Sequence, residues 1–154
     1  MLRKLLLTAG VGALVAIAIG GASFASASDG GGRTIVVIEK SGPGKFVDLG
    51  KRGGSAGDEF FFSSVFWNTA RTHKVGSNHG YCVFATENVL HCSGTARLHG
   101  GTIEYAFQGD TSPNPPTPAI TGGTGPFEGA GGQVDIRNLN ASGSVSRDTI
   151  HITG

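Results

Sequence analysis

The sequence predicts an all-β fold, an antiparallel barrel or sandwich. Three observations carry that prediction. Beyond the N-terminal stretch, no segment keeps a helical period of apolar residues. Short apolar or alternating runs are instead separated by glycine-rich turns. Glycine supplies 27 of the 154 residues without a three-residue repeat, which removes collagen as an explanation and leaves tight turns. The length sets an expectation of one domain, and 38% apolar residues with nine Phe suffice for a core. Twelve basic residues against 11 acidic ones give a formal charge of +1, so no nucleic-acid partner is expected.

Residues 1–27 read as an address rather than as part of the fold. Arg3 and Lys4 form a basic start, Leu5 to Ile19 carry no charge, and Ala25-Ser26-Ala27 places small residues where a signal peptidase reads. The apolar run is shorter than the ~20 residues a membrane-spanning helix needs. Cleavage before Ser28 removes two of the 12 basic residues and none of the 11 acidic ones, which leaves a mature chain one charge negative. The product is expected to be secreted, with no membrane segment after cleavage. Residues 28–32 read as a flexible tail and 33–154 as the β-domain.

Along that domain, Ile35–Glu39 is a first strand, broken by Ser41-Gly42-Pro43-Gly44, with Phe46–Leu49 a short second piece. Lys51–Gly57 is loop. Asp58–Asn68 is a long strand, followed by Arg71–Val75, Gly80–Thr86, Val89–His99 and Gly101–Gln108. Residues 110–118 hold four prolines and cannot form a central strand, so they read as a surface loop near a barrel mouth or as a disordered linker. Gln133–Leu139 and Gly143–Thr153 close the chain. Parity sorts the faces. Leu90, Cys92, Ala96 and Leu98 share an apolar, inward face. Asp58–Asn68 is apolar on both: Phe60, Phe62 and Phe66 on one, Phe61, Val65 and Trp67 on the other. Burial of both faces implies a cover outside the barrel, either a partner subunit or a loop or terminus.

Cys82 and Cys92 are the only cysteines. Thr86-Glu87-Asn88 between them reads as a three-residue hairpin loop, which sets 85 opposite 89, 84 opposite 90 and 82 opposite 92. Directly opposed residues lie within disulfide reach, and an oxidising compartment favours the bridge over two free thiols.

The segment 57–133 resembles the allene oxide cyclase and dirigent barrel superfamily, most nearly its small exported bacterial members. The pieces that carry the likeness are Gly57-Asp58 opening a Phe-rich strand, Lys74-Val75-Gly76, Gly80-Tyr81-Cys82-Val83 and Cys92-Ser93-Gly94-Thr95. The Gly-Gly-x-Ile turn at 100–103, Gln108-Gly109 and above all the run from Ile120 to Ala130 complete it. That run is similar to the family's GGTG-x-[FY]-x-G-A signature, and its glycines read as a tight corner. A phosphate loop is the rival reading, but no Lys-Ser/Thr and no helix pattern follow it. The resemblance implies an eight-stranded antiparallel up-and-down barrel, calycin-like, with one hydrophobic mouth, assembled as a dimer or trimer. It implies a barrel that holds a small hydrophobic molecule, with or without guiding its cyclisation or isomerisation; a barrel packed solid for structural or interaction purposes is the remaining class.

Residue by residue, the likeness places Cys82 on the plant cyclases' pocket cysteine. Ser64 stands where that family has an Asn that holds water, and Glu39 is nearest to its first-strand acid. Pro43 matches its Ser-Pro turn, with Gly42 in place of Ser. The acidic and basic set of dirigent coupling is not recognisable. The expected pocket walls are Phe60, Phe62, Ser64, Phe66, Cys82 and Phe84. Glu39 and Ser64 are the candidate catalytic residues, because a carboxylate inside an apolar barrel can act as general acid or base and a hydroxyl can hydrogen-bond a ligand. Each also has a plain reading: Glu39 as a strand-end residue reaching solvent beside Lys40, Ser64 as a hydroxyl satisfied by a carbonyl. His91 and His99 are eight residues apart on one strand face, about 26 Å, too far to share an ion. Neither metal nor other cofactor is expected.

Overall fold

The computed structural model describes residues 32–110, 112 and 114–154. The expected signal segment 1–27 and the tail up to residue 31 lie outside the described residues. Nine strands follow in chain order: β1 (Arg33–Ser41), β2 (Lys45–Val47), β3 (Glu59–Trp67), β4 (Lys74–Phe84), β5 (Val89–Leu98), β6 (Gly101–Asp110), β7 (Ala119–Thr124), β8 (Gly131–Asn138) and β9 (Val145–Thr153). All pairings are antiparallel. Neighbours run β1-β9-β8-β7-β6-β5-β4-β3, and β3 returns to β1 through Glu39 opposite Phe66 and Ser41 opposite Ser64. The result is a closed eight-stranded up-and-down barrel. β2 lies outside the ring along the start of β3, with Phe46 opposite Phe60. Closure leaves the ring without an unpaired edge, which is the physical advantage of a barrel over an open sheet.

One end is packed shut. Phe127, Leu98, Ile103 and Val37 are each 1% exposed and belong to one apolar cluster. Phe127 comes from a single 3₁₀ turn, Gly125–Phe127, directly after β7. A Cβ on Gly123 would stand 2.5 Å from the Phe127 carbonyl oxygen and 2.6 Å from that of Thr102, so only glycine lets this plug seat against the strands. The tight corner expected in the GGTG segment falls at its last glycine. Ala119–Thr124 is strand, and the chain turns at Gly125, whose φ is +59°.

A second difference concerns Arg71–Val75 and Gly80–Thr86, read above as separate strands. They form one continuous strand, β4, from Lys74. Asn68 ends β3 by accepting from the Thr72 N–H at 2.8 Å and the His73 N–H at 3.3 Å, which places Arg71 and Thr72 in the turn. Loop 48–57 is held from below by Asp58, which is fully buried. Its carboxylate accepts from the Leu49 N–H at 2.8 Å, the Ser55 N–H at 2.6 Å and the Gly50 N–H at 3.2 Å. These donors, Leu49 foremost, hold its pKa below the usual carboxylate range.

The outer cover expected over β3 is only partial. Trp67 lies opposite buried Ile38, with the Lys74 ammonium 5.7 Å from its ring. At the other end Phe61 and Tyr81 remain 43% and 48% exposed, their rings 6.4 Å apart.

Candidate functional site

Register alone builds the barrel's inner wall. Four rows cross β3, β4, β5 and β6. From the mouth inward they are Phe60–Cys82–Cys92–Phe107, Phe62–Gly80–Gly94–Tyr105, Ser64–Asn78–Ala96–Ile103 and Phe66–Gly76–Leu98–Gly101. Facing them, β1 brings Glu39 opposite Ser146 of β9, and Val37 opposite Asp148. The cavity measures about 690 Å³ and is open at the end where Asp110, Ser112, Asn114 and Pro116 line it. A barrel packed solid is therefore excluded.

The mouth is aromatic. Phe60 and Phe62 stack at 6.3 Å on β3, and Tyr105 and Phe107 at 6.4 Å on β6. Between them lie the Cys82–Cys92 disulfide and the two glycines of the second row. The disulfide joins the pair that the hairpin register set opposite each other. Gly94 has a packing reason: a Cβ there would overlap the Tyr105 hydroxyl, just as one on Gly80 would overlap the Phe62 ring. Bare backbone lets each ring lie across its neighbour strand and leaves the centre of the cavity open.

Deeper, the wall turns polar. The Tyr105 hydroxyl donates to Asn78 Oδ1 at 2.8 Å, and Asn78 Nδ2 donates to Glu39 Oε1 at 2.9 Å. Ser64 Oγ donates to the same Glu39 oxygen. Glu39 thus accepts from two side chains, the role of a carboxylate. Asp148 is 4% exposed, accepts from Ser146 Oγ at 2.7 Å and is hydrogen-bonded with Glu39. Its pKa is pushed up to about 8, first by burial, then by the charge of Glu39 and the bond between them, against the smaller pull of Ser146. At neutral pH Asp148 is a buried acid holding its proton beside a carboxylate. Burial, more than the opposing bond to Asn78, also raises the Tyr105 hydroxyl above the ordinary tyrosine range.

The structure places Glu39, Phe60, Phe62, Ser64, Phe66, Cys82 and Cys92 on the cavity. Ser64 and Glu39 meet directly, as neither plain reading of them foresaw. Phe84 requires a correction. It shares the inward parity of Cys82 and is the last residue of β4. Its ring packs edge-on against Phe46 of β2 at 5.8 Å and does not line the cavity.

Sequence reasoning missed Asn78, Tyr105, Ser146 and Asp148. A signal existed for Asp148, which shares parity with Ile150 and Ile152 and so is an acid written into an apolar row. Asn78 shares parity with Cys82, but splitting β4 in two hid it. The amide that the family's strand carries at the Ser64 position is supplied here from the next strand, by Asn78.

No protein-family model matches the chain, and no curated protein matches it. Solved structures do. A pyocyanin demethylase superposes with a TM-score of 0.68 at 26% identity, over 79% of this chain and 100% of its own. The pterocarpan synthase dirigent protein PsPTS1 gives 0.60 at 17%, over 80% and 97%. The Diels Alderase AbmU from Streptomyces koyangensis gives 0.61 at 15%, over 82% and 70%. The chain carries the barrel of dirigent proteins and Diels-Alderase-type cyclases, in agreement with the resemblance to the allene oxide cyclase/dirigent superfamily drawn from its glycine-rich segments.

Proposed function

We propose that this barrel encloses one small, largely apolar molecule and moves a proton on it, as a cyclase or isomerase does. The carrying observation is the Glu39–Asp148 pair, set at the polar depth of a cavity whose mouth is aromatic. The pair suits an isomerisation, which needs no net proton. Asp148 gives its proton to a ligand oxygen while Glu39 takes one from carbon, and the hydrogen bond between the two carboxyls returns the proton to its starting place. Ser64 and Asn78 hold Glu39 in position. The aromatic walls restrict the ligand's conformations and exclude water. That barrels of this shape are named as a demethylase, a dirigent synthase and a Diels Alderase supports a reading in which the scaffold orients a reactive molecule.

Export belongs to the same reading. The basic–apolar–small order of residues 1–27 supports it, a disulfide fits it, and among the described residues no helix is long and apolar enough to cross a membrane. A homodimer or trimer that covers Phe61 and Tyr81 also belongs to it, and the mass of the purified protein in solution tests it.

The first experiment is mass spectrometry of lipophilic compounds that co-purify with the mature protein. With a turned-over compound in hand, Glu39→Gln and Asp148→Asn should each lower kcat by about 10²–10⁴-fold while Kd changes far less. Unchanged kcat in both variants would refute the carboxyl pair as the groups that move the proton, and a bound compound that is never turned over would leave a non-catalytic binder.

A further inference from the structure

We propose that the molecule this cavity takes is a planar aromatic cation, two or three fused rings wide, and not an anionic lipid. The proposal rests on reading the cavity as a ligand site and names the ligand's class. Shape is the first argument. The two aromatic stacks stand on β3 and β6, three strand spacings apart, so the wall strands are separated by at most about 14 Å. In the two rows that carry these stacks, the strands between them present only a disulfide and glycines, with Leu90 one row further out. A space walled by rings on two sides and flat on the third suits a flat ring system better than a flexible chain, whose ordering would cost rotamer entropy.

Charge is the second argument. Three ionisable carboxyls line the cavity, Glu39 and Asp148 in its depth and Asp110 at its rim, and among the described residues no Lys, Arg or His lines it. A ligand carboxylate would lose its hydration beside charges of its own sign. A ring cation would be met by the Glu39 carboxylate and by the faces of Phe62 and Tyr105.

The groups around Asp148 define how this preference depends on pH. Glu39 on β1 and Ser146 on its own strand act on it directly, Tyr105 on β6 feels its charge, and Ser64 on β3 and Asn78 on β4 are bonded to Glu39. Tyr105 is raised beyond its ordinary range and stays neutral, so the change between pH 7 and pH 9 is the loss of the Asp148 proton. That loss adds a second negative charge to the depth of the cavity. Cation affinity should therefore rise across this interval, and the affinity of an uncharged ring system should not.

The test uses the purified mature chain and three isosteric fluorescent probes: 10-methylacridinium, acridine and anthracene-9-carboxylate, titrated at pH 7 and pH 9 in low salt. The cation should bind at least about tenfold more tightly than acridine at pH 7, and the carboxylate more weakly than either. The cation-to-acridine ratio should widen at pH 9 in the wild-type protein, a readout that needs no variant. In the folded Glu39→Gln/Asp148→Asn double variant the ratio should collapse toward one. A carboxylate that binds as tightly as the cation, or a ratio that ignores both pH and the double variant, overturns the charge argument while acridine binding leaves the cavity reading intact. If the folded protein binds none of the three, the cavity reading itself fails and this proposal fails with it.

Discussion

Asp148→Asn isolates the energetic consequence of burying an acid in this barrel. The folded protein raises the Asp148 pKa from 3.8 to about 8. Between those values the folded chain keeps a proton that the unfolded chain has released. Stability must then fall as pH rises through that window, and level off above it. Each pH unit inside the window is worth about 1.4 kcal/mol, so the wild-type protein should lose about 3 kcal/mol between pH 5 and pH 7 from this group. Asn replaces the carboxyl with little change in shape. Its Nδ2 can still donate to Glu39, and its Oδ1 can still accept from Ser146. The variant should therefore keep the fold and lose the slope.

Urea melts at pH 5, 6, 7 and 8, followed through Trp67, the only tryptophan, measure both chains. Every other titratable group is common to both proteins and cancels in the difference. Asp58 and Asp110 are lowered, so their contributions are lost only at pH values below the window, as the pH falls through their folded pKa values. The expected result is a stability gap that moves in favour of the variant by about 3 kcal/mol from pH 5 to pH 7. Parallel curves would show that Asp148 carries no displaced titration, and the proton-holding acid of the proposed mechanism would go with it.

Other perturbations test the packing that positions the site. Gly94→Ala should displace the Tyr105 ring, break its bond to Asn78 and cost about 1–3 kcal/mol in chemical denaturation. Gly122→Ala, where a Cβ meets nothing within 4 Å, should stay within about 0.5 kcal/mol and serves as its control. Phe127→Ala should cost about 3–5 kcal/mol, because it unplugs the closed end of the barrel. Replacing Cys82 and Cys92 together by Ala should cost about 3 kcal/mol, seen as a lower urea midpoint at unchanged slope.

The strands of this barrel were legible wherever alternation was strong. Val89–His99 showed its inward face in the row Leu90, Cys92, Ala96 and Leu98, and the Cys82–Cys92 bridge followed from counting back across a three-residue loop. Glycine was harder to read. Read from sequence alone, the chain breaks between Val75 and Gly80, although β4 runs through it and Gly76 is bare where Leu98 approaches. In the GGTG segment the corner lies at Gly125, whereas Gly123 is bare to admit Phe127. A glycine's role depends on what packs against it from another element, which the alternation along its own strand does not record.

The candidate site divides in the same way. Parity along one strand is a local property with a period of two residues, so the chain by itself set Phe60, Phe62 and Ser64 on one face and Cys82 on the inward face with Cys92, and left Glu39 open between the cavity and solvent. Whether two inward residues meet depends on strand order and stagger around a closed ring, which no local pattern records. Only the tertiary structure decided that β1 closes against β3 and β9, which brings Glu39 to Ser64, Asn78 and Asp148. It also decided that the Phe84 ring packs against Phe46 of β2 instead of lining the cavity. The charge state of the carboxyl pair is likewise a property of the assembled barrel, because it arises from burial and from the approach of groups on five different strands.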